Sequence, residues 1–321
     1  MALRFSESMI QLARDLMEQK KVAESTANAY VKTLYMLNGK VPFKTLTFLK
    51  NTEEVLKTVA EYADNTQKAI FTTIASVLSL YKDKPAYKKV YAFYYDKMMG
   101  KAKDMKENHD PAVKTEKQKE AWVSWDEVQK KKGELREAVS SFYNNKNITA
   151  DQFNGIISFL ILSIYTDIPP RRNQDYLDML VVKKWSADTP IDTNYLDIAG
   201  KQFVFNKYKT AKKYGQQKVN IPDDLMAVVA CYLRQHPTGK AKKANNYKFL
   251  VSSDGSPITA VNAITRILNK VFGKKIGSSM LRHIYITDKY GDTKTEQEAD
   301  ATAMGHSVAE QQNTYNVPLD K

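Results

Sequence analysis

Residues 153–176 read FNGIISFLILSIYTDIPPRRNQDY, and they set the architecture of the second half of the chain. From Phe153 to Tyr165 no residue is charged, and the polar ones before the terminal tyrosine are Asn154, Ser158 and Ser163. An apolar run of that length predicts a helix buried around most of its circumference, at the centre of a core. Pro169 and Pro170 then forbid helix, so Arg171 and Arg172 lie on a rigid turn feeding the next helix. Two guanidiniums held on a stiff loop beside a core are costly unless an anion meets them. The alternative is structural: an Arg172–Asp175 ion pair capping the helix that follows.

Upstream, Trp122 and Trp125 open the same core, and Ser124 is placed to cap a helix starting Trp125-Asp126-Glu127. Between Gly100 and about Lys119 the hydrophobic pattern fails and Lys, Asp, Glu, His109 and Pro111 replace it, which reads as a solvated linker. Before it lie five helices. Ser6 precedes a stripe of Met9, Ile10, Leu12, Ala13, Leu16 and Met17, and Ser25 and Thr26 can cap a second helix that Gly39 and Pro42 end. The others run from about Thr52 to Ala63, from Asn65 to Tyr81 with Pro85 closing the section, and from Tyr87 to Met99. The division expected is a helical domain at 1–105, a linker at 106–120 and a second domain at 121–321.

Downstream, Tyr195 to Ile198 reads as a strand with a turn at Ala199-Gly200. Gln202 to Thr210 and Gln217 to Ile221 form two strands about a Lys212-Lys213-Tyr214-Gly215 turn. Helices follow at Leu225–Arg234, Ala260–Val271, Ser279–Tyr290 and Glu296–Met304. The fold class expected is an α-helical N-terminal bundle plus a mixed α+β, mainly helical domain with a small antiparallel sheet.

The chain of 321 residues carries 49 Lys and Arg against 36 Asp and Glu, a formal charge of +13. That surplus points to a polyanionic partner, of which nucleic acid is the commonest. The single cysteine, Cys231, excludes an internal disulfide and a multi-cysteine zinc site and suits a reducing compartment. No stretch of 18 uncharged apolar residues exists, and Met1 to Glu7 lacks the apolar region of a secretion signal. The expectation is a soluble intracellular protein with no membrane partner.

Polar residues spaced through the second half carry the chemistry. Lys209, in Asn206-Lys207-Tyr208-Lys209-Thr210, sits near the hairpin tip, where an ammonium can enter a DNA groove; exposed strand lysines also serve solubility. In Ser279-Met280-Leu281-Arg282-His283-Ile284-Tyr285 the apolar residues make a buried face, leaving Arg282 and His283 at its margin, where a histidine is usually structural. Gly305-His306-Ser307 permits a tight turn, and Tyr315 lies nine residues beyond His306.

In this order, from roughly Trp122 to Pro318, these pieces resemble the tyrosine recombinase family, DNA strand-transferases of the phage-integrase type. Pro-Pro-Arg-Arg-Asn-Gln-Asp-Tyr is similar to the variant carried by integrases of DNA viruses and other mobile elements, and the N-terminal helices look like the family's core-binding domain. The resemblance implies a tyrosine-recombinase catalytic domain in which Arg172 and Arg282 are the catalytic arginines, Lys209 the hairpin lysine, His306 a phosphate ligand and Tyr315 the nucleophile. Asp175 matches the family's acidic position, Arg171 is a neighbour whose role could be exchanged with Arg172, and Lys207 and Lys212 are lesser lysine candidates. Lys207, Lys212 and Lys213 are expected to contact DNA. One departure stands out: the histidine usual three residues before the second arginine is Ser279 here, with His283 as a candidate substitute. The implied activity is site-specific recombination or integration through a 3′-phosphotyrosyl intermediate on double-stranded DNA, by a homo-oligomer (a tetramer), inside the cell where the DNA is. No cofactor, metal or ATP is implied. Within the same chemistry the rival is a type IB topoisomerase; from another class, a catalytically silent DNA-binding protein of the same fold.

Overall fold

The structure, a computed structural model, describes residues 5–107, 113–238, 246–304 and Val308. The chain forms two compact units, Met1–Val113 and Lys114–Lys321. Among the described residues no helix is long and apolar enough to cross a membrane.

In the first unit the helices are α1 (Glu7–Lys20), α2 (Glu24–Leu37), α3 (Thr52–Ala60), α4 (Asp64–Leu78) and α5 (Pro85–Glu107). Ser6 caps α1, its hydroxyl accepting from the Met9 amide, and α1 buries Met9, Leu12, Ala13 and Leu16. The cap expected at Ser25 or Thr26 is displaced. Lys21 turns the chain in the left-handed region at φ 54°, so α2 begins three residues later, with Ala23 at its N-cap and both hydroxyl residues inside its first turn. Pro85 starts α5 rather than closing α4, because a first-turn proline has no amide that the helix needs. The core centres on Leu16, Val31, Leu34, Ile74 and Tyr94, all fully buried, and the Tyr94 hydroxyl donates to Leu49 O at 2.9 Å. Burial alone pushes the Tyr94 phenol well up.

The expected linker is corrected at both ends. Helix α5 runs on through Gly100 to Glu107, and α6 (Glu116–Ala121) starts from a Thr115–Gln118 capping box. The apolar pattern lapses there because those turns are mostly solvated, while Lys, Ala, Met and Glu keep good helix propensity. We expect residues 1–113 and 114–321, expressed separately, each to melt cooperatively by circular dichroism; a gradual, featureless melt of either piece would contradict the division at Val113.

The second unit is built on α8 (Ala150–Thr166). Thr149 and Gln152 form its capping box, with Thr149 N donating to Gln152 Oε1 at 2.9 Å, and all positions from Phe159 to Thr166 are buried. Around it pack α7 (Trp125–Ser140), capped by Ser124 as expected, α11 (Asp223–Gln235), α12 (Val261–Phe272) and α13 (Ser278–Met304). The last is one helix where two are expected. A glycine within a helix costs about 1 kcal/mol, too little for Gly291 to end it.

The sheet is small but mixed, correcting the antiparallel expectation. Its order is β4-β3-β2-β1-β5, with β1 (Leu180–Val182) parallel to β2 (Tyr195–Asp197). The strands β3 (Gln202–Phe205), β4 (Gln217–Asn220) and β5 (Tyr247–Lys248) pair antiparallel. At three and two residues, β1 and β5 are too short for their alternation to stand out in the sequence. Strand β3 ends at Phe205, before the expected Thr210, and the one-turn helix α10 (Ala211–Tyr214) replaces the expected turn. Tyr176, fully buried on α9 (Gln174–Leu177), packs edge-on against Phe203 and Phe205, which ties the arginine turn to the sheet.

Candidate active site

The arginine turn is held from below. The Tyr165 hydroxyl, at the end of α8, donates to Asn173 Oδ1 at 2.8 Å, and Asn173 Nδ2 donates to Val261 O at 2.9 Å and Thr265 Oγ1 at 3.1 Å. Asn173 thus fastens the turn to both α8 and α12.

The two arginines of the turn have different fates. Arg171 is spent on the protein: Nε donates to Asp175 Oδ2 at 2.9 Å and Nη1 to Gln217 Oε1 at 2.7 Å. Its guanidinium lies 3.8 Å from the centre of the Phe205 ring and 4.9 Å from that of Tyr208. The expected alternative pair, Arg172–Asp175, is therefore corrected to Arg171–Asp175. Asp175 is buried, its Oδ1 has no hydrogen-bond partner, and burial raises its carboxyl above the usual range against the pull of Arg171, Arg172 and Arg282. Arg172 is half-buried; its carbonyl accepts from the Asp175 amide at 3.0 Å, while its guanidinium makes no hydrogen bond or ion pair with any described residue.

Arg282 arrives from far along the chain. Leu281 and Ile284 bury the inner face of α13, as the spacing predicts, and this sets Arg282 at the margin. Its Nη2 donates to Ser279 Oγ at 2.9 Å, so the serine in the unusual position supports the arginine. His283 is exposed and does not line the arginine cavity.

Arg171, Arg172 and Arg282 line one open cavity of about 240 Å³, together with Asp175, Pro170, Tyr208, Thr210, Tyr214 and Gln217. Three guanidiniums face one carboxylate there, and that carboxylate is paired to Arg171. The cavity accordingly suits a singly or doubly charged oxyanion, with Arg172 as its free donor. Lys209 does not line it. That lysine is exposed on the connection from β3 to α10, between Tyr208 and Thr210, which do. Lys207, Lys212 and Lys213 are exposed as well, with the Lys213 ammonium 5.0 Å from the centre of the Tyr214 ring. His306 and Tyr315 lie outside the described residues.

Two residues that shape the site escape sequence reading. Asn194 is buried, and its partners lie 12 to 19 positions away: Oδ1 accepts from the amides of Asn206 and Lys207, and Nδ2 donates to the carbonyls of Lys207 and Asp175. Gln217 has nothing local to mark it. A larger cleft of about 870 Å³, between α8, α12 and residues 252–260, contains none of the expected site residues. Among the described residues no group of three or more His, Cys, Asp or Glu side chains is placed to hold a metal ion.

Comparison with protein-family models, with curated proteins and with solved structures gives no match to this chain.

Proposed function

We propose that this protein is a tyrosine recombinase that cleaves and rejoins double-stranded DNA through a 3′-phosphotyrosyl intermediate, acting as an integrase. The observation that carries the reading is the meeting of Arg172 and Arg282 in one cavity, with the Arg172 guanidinium making no hydrogen bond or ion pair among the described residues. The order of Arg, Lys, Arg, His and Tyr along the chain supports it, as does the formal charge of +13.

Strand transfer without an external energy source must conserve the phosphodiester bond energy, which a covalent phosphotyrosine does. A phenol of pKa about 10 is only about one part in a thousand ionised at pH 7. Arg172 and Arg282 lower the cost of a nearby phenolate and stabilise charge on the non-bridging oxygens in the transition state. Lys209, exposed beside the cavity, reaches the leaving 5′-oxygen as general acid once DNA is bound, and His306 donates to a phosphate oxygen. Ser279 acts through Arg282, holding its guanidinium. The working form is a homo-oligomer on DNA, inside the cell.

The test is incubation with a nicked suicide substrate and a search for a protein–DNA adduct on a denaturing gel. An adduct is expected. Its absence across many substrates, with DNA binding intact, would favour a catalytically silent binder. Because the chemistry proposed rests on arginine, lysine and tyrosine, cleavage should survive excess EDTA; strict dependence of the chemical step on magnesium would contradict the mechanism.

A further inference from the structure

We infer that Arg171 is a positioning residue that fixes the Lys207–Thr210 loop against the Arg172 turn, and so governs delivery of the proton to the leaving group. The inference rests on the recombinase reading above.

Arg171 touches each element whose relative placement this step requires. It pairs with Asp175 at the start of α9, bonds Gln217 on β4, and stacks over Phe205 and Tyr208 at the root of the lysine loop. A lysine could not do this, since only a planar fork uses its edges for two hydrogen bonds while its face lies on a ring. Asn194 pins the same joint through bonds of its own. Its amide bridges the Asp175 and Lys207 carbonyls while accepting from the Asn206 and Lys207 amides. Tyr208 is held in turn, its hydroxyl donating to Gly215 O at 2.7 Å. The loop therefore cannot tilt away from Arg172 without breaking several of these contacts. The Arg172 side chain takes no part in the joint and is left to the phosphate.

In the cleavage step the phenol oxygen forms a bond to phosphorus and the bond from phosphorus to the 5′-oxygen breaks. The departing oxygen takes a proton from the loop lysine, and the phenol proton is lost to solvent. A bridging 5′-sulfur leaves as thiolate and needs no proton. Damage confined to the proton donor then disappears, whereas damage to phosphate stabilisation remains.

The experiment measures single-turnover cleavage of suicide substrates with 5′-oxygen or 5′-sulfur at the scissile position, by wild type, Arg171→Met and Gln217→Leu. Arg171→Met should cleave the oxygen substrate about a hundredfold more slowly, the lower end of what a positioned general acid supplies, and the sulfur substrate at about the wild-type rate. Gln217→Leu removes one hydrogen bond and leaves no buried carboxylate unpaired. It should show the same asymmetry at about tenfold, and it decides the matter if Arg171→Met does not fold. Equal slowing of both substrates would overturn the inference, because Arg171 would then act on the phosphate directly; an unslowed Arg171→Met would overturn it too. A wild-type protein that forms no adduct with either substrate overturns the recombinase reading itself, which is a distinct result.

Discussion

Tyr315→Phe is expected to abolish the covalent protein–DNA adduct while leaving DNA affinity within a few-fold of wild type. The substitution removes one oxygen and no charge, so phosphate contacts, which supply most affinity for a duplex, are untouched. The chain holds 19 tyrosines, and the described structure narrows the competitors. Tyr94, Tyr165, Tyr176 and Tyr232 are fully buried with phenols pushed up by burial, which makes them poor nucleophiles. Tyr208 spends its proton on Gly215 O. Tyr214 lines the arginine cavity and is exposed. An adduct that persists in Tyr315→Phe and vanishes in Tyr214→Phe would move the nucleophile to Tyr214.

The second large effect concerns charge. Arg172→Ala and Arg282→Ala should each slow single-turnover cleavage about a hundred- to a thousand-fold, the usual cost of removing one donor to a developing oxyanion. Ser279→Ala should lose about tenfold or less. Its hydroxyl accepts from Arg282 at 2.9 Å on a helix face that is open to water, and one such hydrogen bond contributes about 0.5–1.5 kcal/mol. His283→Ala should be close to neutral, because the ring is exposed and outside the cavity. Parity between Ser279→Ala and Arg282→Ala in this assay would mean that the serine touches the phosphate itself. Loss of DNA binding in parallel with rate would shift the arginines from catalysis to anchoring.

Much of the frame was legible locally. The buried helix at Phe153–Tyr165, the Ser6 and Ser124 caps and the apolar face of Leu281 and Ile284 all follow from neighbours a turn away. Where reading failed, the cause is physical. The segment after Gly100 has no apolar pattern because its helix is mostly solvated, and propensity without a stripe looks like a linker. Strands of two or three residues carry no usable period, so the parallel β1–β2 pair and the mixed sheet were not visible.

By itself the sequence determined the arginine turn, because two prolines forbid helix whatever surrounds them, and it determined the order of the polar residues on which the proposed chemistry rests. Only the tertiary structure decided which arginine of the Arg171–Arg172 pair is free. The answer depends on Gln217, 46 positions away, and on the rings of Phe205 and Tyr208, which capture Arg171 and leave Arg172 facing the cavity with Arg282. Adjacent identical side chains have the same local chemistry, so only partners brought in by packing can tell them apart.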